Sequence, residues 1–244
     1  MMYLTGFHSI EERIKSDRPC GPLLMAKAGP RAKEIVKLAI DKKIRIDRVG
    51  TFDLDGLAPN HRGIALHIED YGESADISLE DFLANLDDEK KDVLVLILDE
   101  ITDPHNYGAI LRSCDQFGVA LVISRNRRSA KNAPIISQTS AGAVSWVAQA
   151  ETPNLVRAME DLKEAGFWIY GADMDGDPVH KVDLRGRTAL VLGSEGAGIS
   201  RLLYDRCDKI IGIPSMGRLD SLNVSVAAGV LLYEAVRQCS ATPY

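Results

Sequence analysis

The sequence is poor in cysteine, with four in 244 residues, and no two of them form a Cys-x-x-Cys pair. Zinc and redox motifs are therefore not indicated, and scattered thiols in a chain this long are typical of reduced cytosolic proteins. The first twenty residues lack the apolar run of a signal peptide, and no stretch approaches the ~18 apolar residues of a membrane span. We therefore expect a soluble, cytoplasmic protein that uses neither a membrane nor a metal.

The sequence also lacks the positive net charge that many nucleic-acid-binding proteins carry. Its formal net charge is −6, which argues weakly against a nucleic-acid partner. The charge is uneven, because residues 1–52 hold 11 Lys and Arg against 6 Asp and Glu, whereas residues 76–92 hold 2 against 7. A basic surface on the first part stays compatible with the sequence, since the local field matters more than the total.

The acidic segment 76–92 is short of β-forming residues and is interpreted as a linker with a helical turn or more. Residues 1–75 alternate between helical and extended patterns, which predicts a small α/β domain. Its helices are predicted at 10–16 and 31–42, and its strands at 22–26, 44–49 and 63–68.

Residues 93–244 begin with a continuous run of six aliphatic residues, which is typical of a parallel strand covered on both faces. Further runs alternate with helical stretches, so we predict an α/β domain with a mainly parallel sheet. These other strands are predicted at 119–123, 144–147, 167–170, 189–192 and 210–213.

Three polar segments that contain glycine follow predicted strands, where ligands of parallel sheets bind. The first segment contains Asn106, Gly108 and Arg112, and Asn106 is a candidate cap for the helix that follows. An ordinary turn with a surface arginine explains this segment equally well. The second, 192–198, has three glycines around Glu195 but matches neither a dinucleotide nor a phosphate loop. A flexible loop with a solvated glutamate is its alternative.

The third segment, 211–225, places Asn223 and Ser225 at the start of an apolar helix over 224–236. This helix must be buried in the core or against another subunit. Helix capping would satisfy one of the two polar side chains, and the other leaves room for a ligand. We therefore expect the loops around Asn106, Glu195 and Asn223 to converge on one pocket.

Together the segments resemble the three motifs of the SpoU branch of the SPOUT RNA methyltransferases. Asn106-x-Gly108-x-x-x-Arg112 resembles the first motif, and Leu192-Gly-Ser-Glu-Gly196 resembles the second. Ile213-Pro and Ser221-Leu-Asn-Val-Ser225 resemble the third. The resemblance implies a trefoil knot at the C-terminal end of the catalytic domain, which is rare among folds. It also implies a homodimer with both subunits near each site.

The resemblance further implies S-adenosylmethionine as methyl donor and a ribose 2′-hydroxyl of structured RNA as acceptor. By motif position, Gly193, Ile213 and Leu222 would contact the cofactor. The reacting end would be lined by Asn106, Arg112, Glu195 and Asn223. Arg112 would act either as general base or as a clamp on the phosphate and sugar, and the first role is awkward because guanidinium normally stays protonated.

The first 75 residues resemble the small substrate-binding domain of many members, at Tyr3-Leu-Thr-Gly-Phe-His-Ser-Ile and His61-Arg-Gly-Ile-Ala. This likeness implies RNA binding, with phosphates meeting a basic cluster for which a solvated helix face is the alternative. The cluster consists of Lys27, Arg31, Lys33, Lys37, Lys42, Lys43, Arg45 and Arg48. A second cluster that could hold RNA near the site consists of Arg125, Arg127, Arg128 and Lys131.

The layout of small domain 1–75, linker 76–92 and catalytic domain 93–244 most resembles members that methylate a guanosine of 23S ribosomal RNA. A transfer-RNA target is the first alternative. A non-catalytic RNA-binding or ribosome-assembly protein is the second. A nucleotide-dependent oxidoreductase is disfavoured, because the glycine-rich turn and the later acidic residue that it needs are not in place.

Overall fold

A computed structural model of the chain describes residues 2–15, 20–27, 29–58, 61–68, 76–87, 89, 91–125, 133–217 and 221–239. These residues form a four-stranded and a six-stranded sheet with helices around each. Among them, no helix combines the length and apolar character that crossing a bilayer requires.

The first sheet has the order β1-β4-β2-β3, in which only the β2–β3 pair is parallel. Its core is aliphatic and includes Ile10, Ile35 and Leu66, which are all buried. The two predicted helices and three predicted strands are confirmed within a few residues, whereas β1 and α3 were not predicted. The elements are β1 (Met2–Leu4), α1 (Phe7–Lys15), β2 (Leu23–Met25), α2 (Pro30–Asp41), β3 (Ile46–Arg48), α3 (Thr51–Leu57) and β4 (Ile64–Ile68).

The acidic segment contains one short helix, α4 (Leu79–Ala84), as the sequence predicts. Ser78 caps it, since its hydroxyl accepts a hydrogen bond from the backbone N–H of Asp81 at 2.9 Å. Just before it, Asp76 forms a parallel bridge with Gln149 of the second sheet. The segment is therefore attached to the edge of that sheet.

The second sheet has the order β10-β8-β9-β5-β6-β7, and every adjacent pair is parallel. Along β5, Leu96 and Leu98 pack with α5 and α9, whereas Val95 and Ile97 pack with α7 on the opposite face. The predicted parallel sheet with helices on both faces is therefore confirmed. The elements are β5 (Val93–Leu98), α5 (Pro104–Gln116), β6 (Leu121–Ser124), α6 (Ala133–Thr139), β7 (Gln149–Glu151), α7 (Leu155–Glu164), β8 (Trp168–Pro178), β9 (Arg187–Leu192), α8 (Arg201–Tyr204), β10 (Lys209–Gly212) and α9 (Val224–Cys239).

The prediction of a strand at 144–147 is wrong. Gly142 adopts a φ of 96°, and a short 3₁₀ helix follows at Ala143–Ser145. The strand comes later, at Gln149–Glu151, whose Gln149 amide donates to the Val144 carbonyl at 3.0 Å. The apolar run at 144–147 therefore indicates burial and not an extended backbone, because a short apolar run does not distinguish the two.

Backbone crosses backbone closely where β8 meets β10. Ile210 pairs with Gly171, but the next residue, Ile211, pairs with Asp177, so β8 bulges outward in between. A Cβ atom on Gly176 would lie 2.5 Å from the Ile211 backbone, and one on Gly212 would lie 2.8 Å from a backbone oxygen of this bulge. Only glycine permits this approach. The trefoil knot implied by the resemblance stays a prediction.

Candidate active site

The helix that follows β5 is capped by Asp103, and the prediction that Asn106 caps it is wrong. The Asp103 carboxylate accepts hydrogen bonds from the N–H groups of His105 and Asn106, and Pro104 occupies the first helical position. Proline suits that position because its missing N–H has no helical partner there. Asn106 lies in the first turn instead, so its side chain is free of the capping role.

The loop after β9 is a closed turn around Glu195. Ser194 and Gly198 exchange both backbone hydrogen bonds, at 3.1 and 3.0 Å. At the base of the turn, a Cβ atom on Gly193 would lie 2.0 Å from the Gly198 carbonyl oxygen. Glycine at 193 is thus required by the packing of the loop against itself. Glu195 is presented at the exposed tip.

Asn223 lies immediately before α9 and caps it. Its Oδ1 accepts hydrogen bonds from the N–H and hydroxyl of Ser225, at 3.0 and 2.6 Å. Capping therefore accounts for Asn223 Oδ1 and for the Ser225 hydroxyl, and it leaves the Asn223 NH₂ group for another partner. The cap also orients the amide, because an oxygen facing the helix N–H groups leaves the NH₂ group pointing away from them.

The side chains of Asn106, Glu195 and Asn223 meet in one hydrogen-bonded cluster. The Asn223 NH₂ group donates to Asn106 Oδ1 at 3.0 Å and also to Glu195 Oε1. Asn106 in turn donates from Nδ2 to the same Glu195 oxygen at 3.1 Å. The predicted convergence of the three loops is therefore confirmed, although their chemical roles stay predictions. We call these three residues the amide–carboxylate cluster.

Glu195 keeps unused hydrogen-bonding capacity in this cluster. Both amides donate to Oε1, and within the described ranges Oε2 has no hydrogen bond and the carboxylate has no ion pair. A carboxylate can accept about four hydrogen bonds. The cluster can therefore receive a hydroxyl group or a positive charge from a bound molecule. Over the same ranges, no three His, Cys, Asp or Glu side chains form a metal-binding group.

Arg112 does not join the amide–carboxylate cluster within one subunit. It lies in α5 six residues after Asn106, which places it about 9 Å further along the axis and on a different face. Its side chain is exposed, and it has no hydrogen bond or ion pair to any residue that the structure describes. Arg112 is thus a cation without a described counter-charge next to the site.

The three residues predicted to contact a cofactor lie in the two loops beside the cluster. Gly193 follows β9, Ile213 follows β10, and Leu222 directly precedes Asn223. Ile213 is partly buried against the core, whereas Leu222 is 45% exposed. Leu222 therefore presents apolar surface directly beside Asn223 of the polar cluster, and such a combination is typical of small-molecule sites.

The chain's thiols are not activated for nucleophilic chemistry. Burial raises the pKa of all four thiols. The pKa rises to about 12 for Cys207 and to about 11 for Cys239. All four are therefore neutral near pH 7. Since the thiolate is the reactive form, a cysteine-dependent transfer is disfavoured.

Asp99 is a buried residue near the candidate site that the sequence patterns did not single out. It directly follows β5 and is 1% exposed, yet its carboxylate Oδ2 accepts a hydrogen bond from Ser200 N–H at 2.8 Å. The signal was available, because a charged residue ends an otherwise purely aliphatic run at the ligand-binding edge of the sheet.

The two predicted basic clusters differ in how much of them is described. Arg125 of the second lies beside acidic groups, with Nη1 3.6 Å from Glu100 Oε1, and the other three members lie outside the described residues. In the first cluster, Arg31 pairs with Glu11 and Glu34, and Arg45 pairs with Asp47. Part of the positive charge in each cluster is therefore compensated within the chain.

Known proteins match both parts of this chain. A family model described as "SpoU rRNA Methylase family" matches residues 93–233. A second family model, described as "RNA 2′-O ribose methyltransferase substrate binding", matches residues 3–74. A Borreliella burgdorferi protein named "Uncharacterized tRNA/rRNA methyltransferase" is 39% identical over 218 residues, which cover 87% of this chain and 96% of that protein. The Xanthomonas campestris 23S rRNA (guanosine-2′-O-)-methyltransferase RlmB is 38% identical over 243 residues, covering 97% and 96%.

A solved structure has the same fold. The SpoU methyltransferase AviRb from Streptomyces viridochromogenes, in complex with the cofactor AdoMet, superimposes with a TM-score of 0.76 at 25% identity, over 98% of this chain and 90% of that one. Fold, site and these similarities define an RNA methyltransferase. More specifically, the chain belongs to the SpoU rRNA methylase family.

Proposed function

We propose that this protein transfers a methyl group from S-adenosylmethionine to the ribose 2′-hydroxyl of a guanosine in 23S ribosomal RNA. The observation that carries the proposal is the amide–carboxylate cluster, in which three loops that follow three strands of one sheet meet. Ligands of parallel sheets bind at this edge. The name of the Xanthomonas campestris relative supports the guanosine of 23S rRNA as target.

The methyl donor is S-adenosylmethionine, the cofactor named with the AviRb structure. The residues around the cluster fit this molecule. Exposed Leu222 and partly buried Ile213 would offer apolar surface to its adenine. Glu195, which has no ion pair among the described residues, would offer its carboxylate to the positively charged end. When bound, it supplies an electrophilic methyl group on a sulfonium sulfur.

The chain's own residues would orient the acceptor and remove its proton. Asn106 and Asn223 hold Glu195 Oε1, which leaves Oε2 to fix a hydroxyl or a cationic group at the reacting end. Such positioning is a large part of catalysis when two bound reactants must align. Arg112 either accepts the hydroxyl proton or clamps the adjacent phosphate. The clamp agrees better with a guanidinium that stays protonated.

A homodimer completes this proposal. Val226, Val230 and Tyr233 are 52%, 39% and 55% exposed on α9, and their spacing places them on one face. An apolar stripe of this kind is typical of an interface. Since α9 begins at the cluster and packs on α5, which carries Arg112, a second subunit seated on this stripe would lie close to the reacting end.

The two parts of the chain would share the work. We assign residues 1–75 to RNA binding, residues 76–92 to a linker and residues 93–244 to methyl transfer, with the basic residues of the first part meeting RNA phosphates. Cytoplasmic localisation, where ribosomal RNA would be met, belongs to the same proposal. A transfer-RNA target is the second candidate, because other relatives are named tRNA/rRNA methyltransferases.

The test is to map ribose methylation in ribosomal and transfer RNA from cells with and without this protein. Loss of one 2′-O-methylguanosine in 23S rRNA is the expected result, and restoring the gene should restore it. Loss at a tRNA position instead would select the second candidate. Unchanged ribose methylation in both RNAs, together with no binding of S-adenosylmethionine by calorimetry, would contradict the proposal and favour a non-catalytic RNA-binding protein.

A further inference from the structure

The residue that follows β5 grips both ends of the loop that presents Glu195. The Asp99 N–H donates to the carbonyl of Leu192, the last residue of β9, at 2.8 Å. Its carboxylate Oδ2 accepts from the N–H of Ser200, also at 2.8 Å. Residues 193–199 lie between these two attachment points. One residue thus joins β5 to the beginning and to the end of the Glu195 loop.

The loop between these points has little freedom of its own. Ser194 and Gly198 close it by two backbone hydrogen bonds, and Gly193 packs directly against the Gly198 carbonyl. A closed turn moves as a unit, so the position of its two ends decides where Glu195 lies. Asn106 follows the same strand as Asp99, and the Asn106–Glu195 hydrogen bond therefore depends on how the loop is attached to β5.

The charge of Asp99 is held under unfavourable conditions. Its Oδ1 is buried and makes no hydrogen bond to the described residues. The nearest described cation is Arg125, whose Nη2 is 3.9 Å away and whose Nη1 also faces Glu100. Glu100 itself adopts a φ of 57°, a left-handed conformation that costs free energy for a residue other than glycine. Burying a carboxylate with a loose partner is also costly.

A carboxylate has one property here that a neutral amide lacks. An ionised carboxylate has two acceptor oxygens and no donor, so Asp99 cannot turn a donor toward the Ser200 N–H, whereas asparagine can. The bond to the N–H is also charge-assisted and therefore stronger than a neutral one. A buried carboxylate with a distant counter-charge, followed by a strained residue at Glu100, is typical of functional sites.

We propose that Asp99 is a positioning residue for methyl transfer: its buried carboxylate holds the Glu195 loop in register with Asn106 and Asn223, and Arg125 supplies the counter-charge. This inference rests on the proposed function of the amide–carboxylate cluster. Asp99 touches neither the donor nor the RNA, and it acts through the loop that it anchors.

The test compares Asp99→Asn with the wild-type protein and with Thr188→Val. Thr188 is as buried as Asp99 and lies at the amino end of β9, whereas the Glu195 loop follows the carboxyl end of that strand. The Thr188 hydroxyl donates a hydrogen bond to the Leu184 carbonyl at 2.9 Å. Asp99→Asn should weaken S-adenosylmethionine binding, measured by calorimetry, and lower kcat by about 100-fold, because small misplacements at a reacting centre have effects of this size. The KM for RNA should stay the same. Thr188→Val should lower Tm only.

Arg125→Gln is the second variant, and it changes a partly exposed residue. It should weaken S-adenosylmethionine binding in the same direction as Asp99→Asn, and to a smaller degree. Unchanged donor affinity in both variants, or equal losses in Thr188→Val, would show that Asp99 has a structural role only. A wild-type protein that fails to bind S-adenosylmethionine would instead refute the proposed function, and the inference with it.

Discussion

Asn223 donates a hydrogen bond to the carboxylate of Glu195 across 28 positions of the chain while its own carbonyl oxygen caps α9. One side chain therefore serves two purposes. The cap fixes the orientation of the Asn223 amide, and this orientation points the NH₂ group of Asn223 at the Glu195 carboxylate. Because of this coupling, stability and activity can be separated only by comparing this cap with another one.

Asn223→Ala should lose methyl transfer and a small part of its stability. The lost cap should cost about 1 kcal/mol, as helix caps generally do. The matched control is Asn154→Ala, which removes the cap of α7, where Asn154 Oδ1 accepts from the Arg157 N–H at 3.1 Å. Both variants should show a similar fall in Tm, and only Asn223→Ala should abolish transfer to RNA. Equal activity in the two variants would contradict a role for Asn223 in the site.

Arg112→Lys should lower kcat/KM by at least about 100-fold, the lower range of acid–base contributions. Lysine keeps the charge but loses the planar fork of donors. If Arg112 is the general base, the dependence of the methyl-transfer rate on pH should shift to lower pH in the variant, because lysine has a lower pKa than arginine. A phosphate clamp predicts a raised KM for RNA with an unchanged profile.

The control for this experiment is Arg157→Lys, an exposed arginine on α7 that pairs with Asp161. It should behave like the wild-type protein in both kcat and KM. If Arg112→Lys also does so, both roles proposed for Arg112 are wrong.

Glu234→Gln should destabilise the protein at neutral pH and have almost no effect in acid. Hydrogen bonds from Arg237, and then from Gln238, lower the pKa of Glu234 from 4.5 to about 2. Because the folded pKa is the lower one, the stabilisation is complete above pH 4.5 and is lost as the pH falls toward 2.

At pH 7 the expected loss in Tm is roughly 3 to 10 °C, from charge-assisted hydrogen bonds in a chain of this size. Thermal unfolding of wild type and variant between pH 2 and pH 7 measures it. Glu164→Gln, at an exposed position at the end of α7, should leave Tm nearly unchanged throughout. A Tm difference for Glu234→Gln that grows in acid would show that the sign is wrong.

Val230→Asp should convert a dimer into monomers. The substitution places a charge in the exposed apolar stripe of α9, and burying an unpaired charge in an interface is unfavourable. Sedimentation velocity should show twice the chain mass for the wild-type protein and the chain mass for the variant. Leu57→Asp, at a similarly exposed apolar position in α3, should stay dimeric. A wild-type monomer at micromolar concentration would disprove the dimer.

The sequence predicted the strands where residue pattern and burial coincide. Val93–Leu98 is buried on both faces and was assigned with the observed bounds, because a continuous aliphatic run fits little else at that length. At 144–147 the same kind of run is a 3₁₀ turn, since Gly142 redirects the chain there. The cap of α5 also differs from the prediction, because it is Asp103 and not Asn106. Both can cap a helix, and the choice depended on where Pro104 starts it.

By itself, then, the sequence determined the two-part α/β organisation and the three loops that carry the candidate residues, because periodicity and local turn chemistry are properties of neighbouring residues. Only the tertiary structure decided that Asn106, Glu195 and Asn223 share hydrogen bonds, that Arg112 stands apart from them in its own subunit, and that buried Asp99 anchors the Glu195 loop. These relationships join residues that are distant along the chain. They follow from the order and register of the strands, which local pattern does not specify.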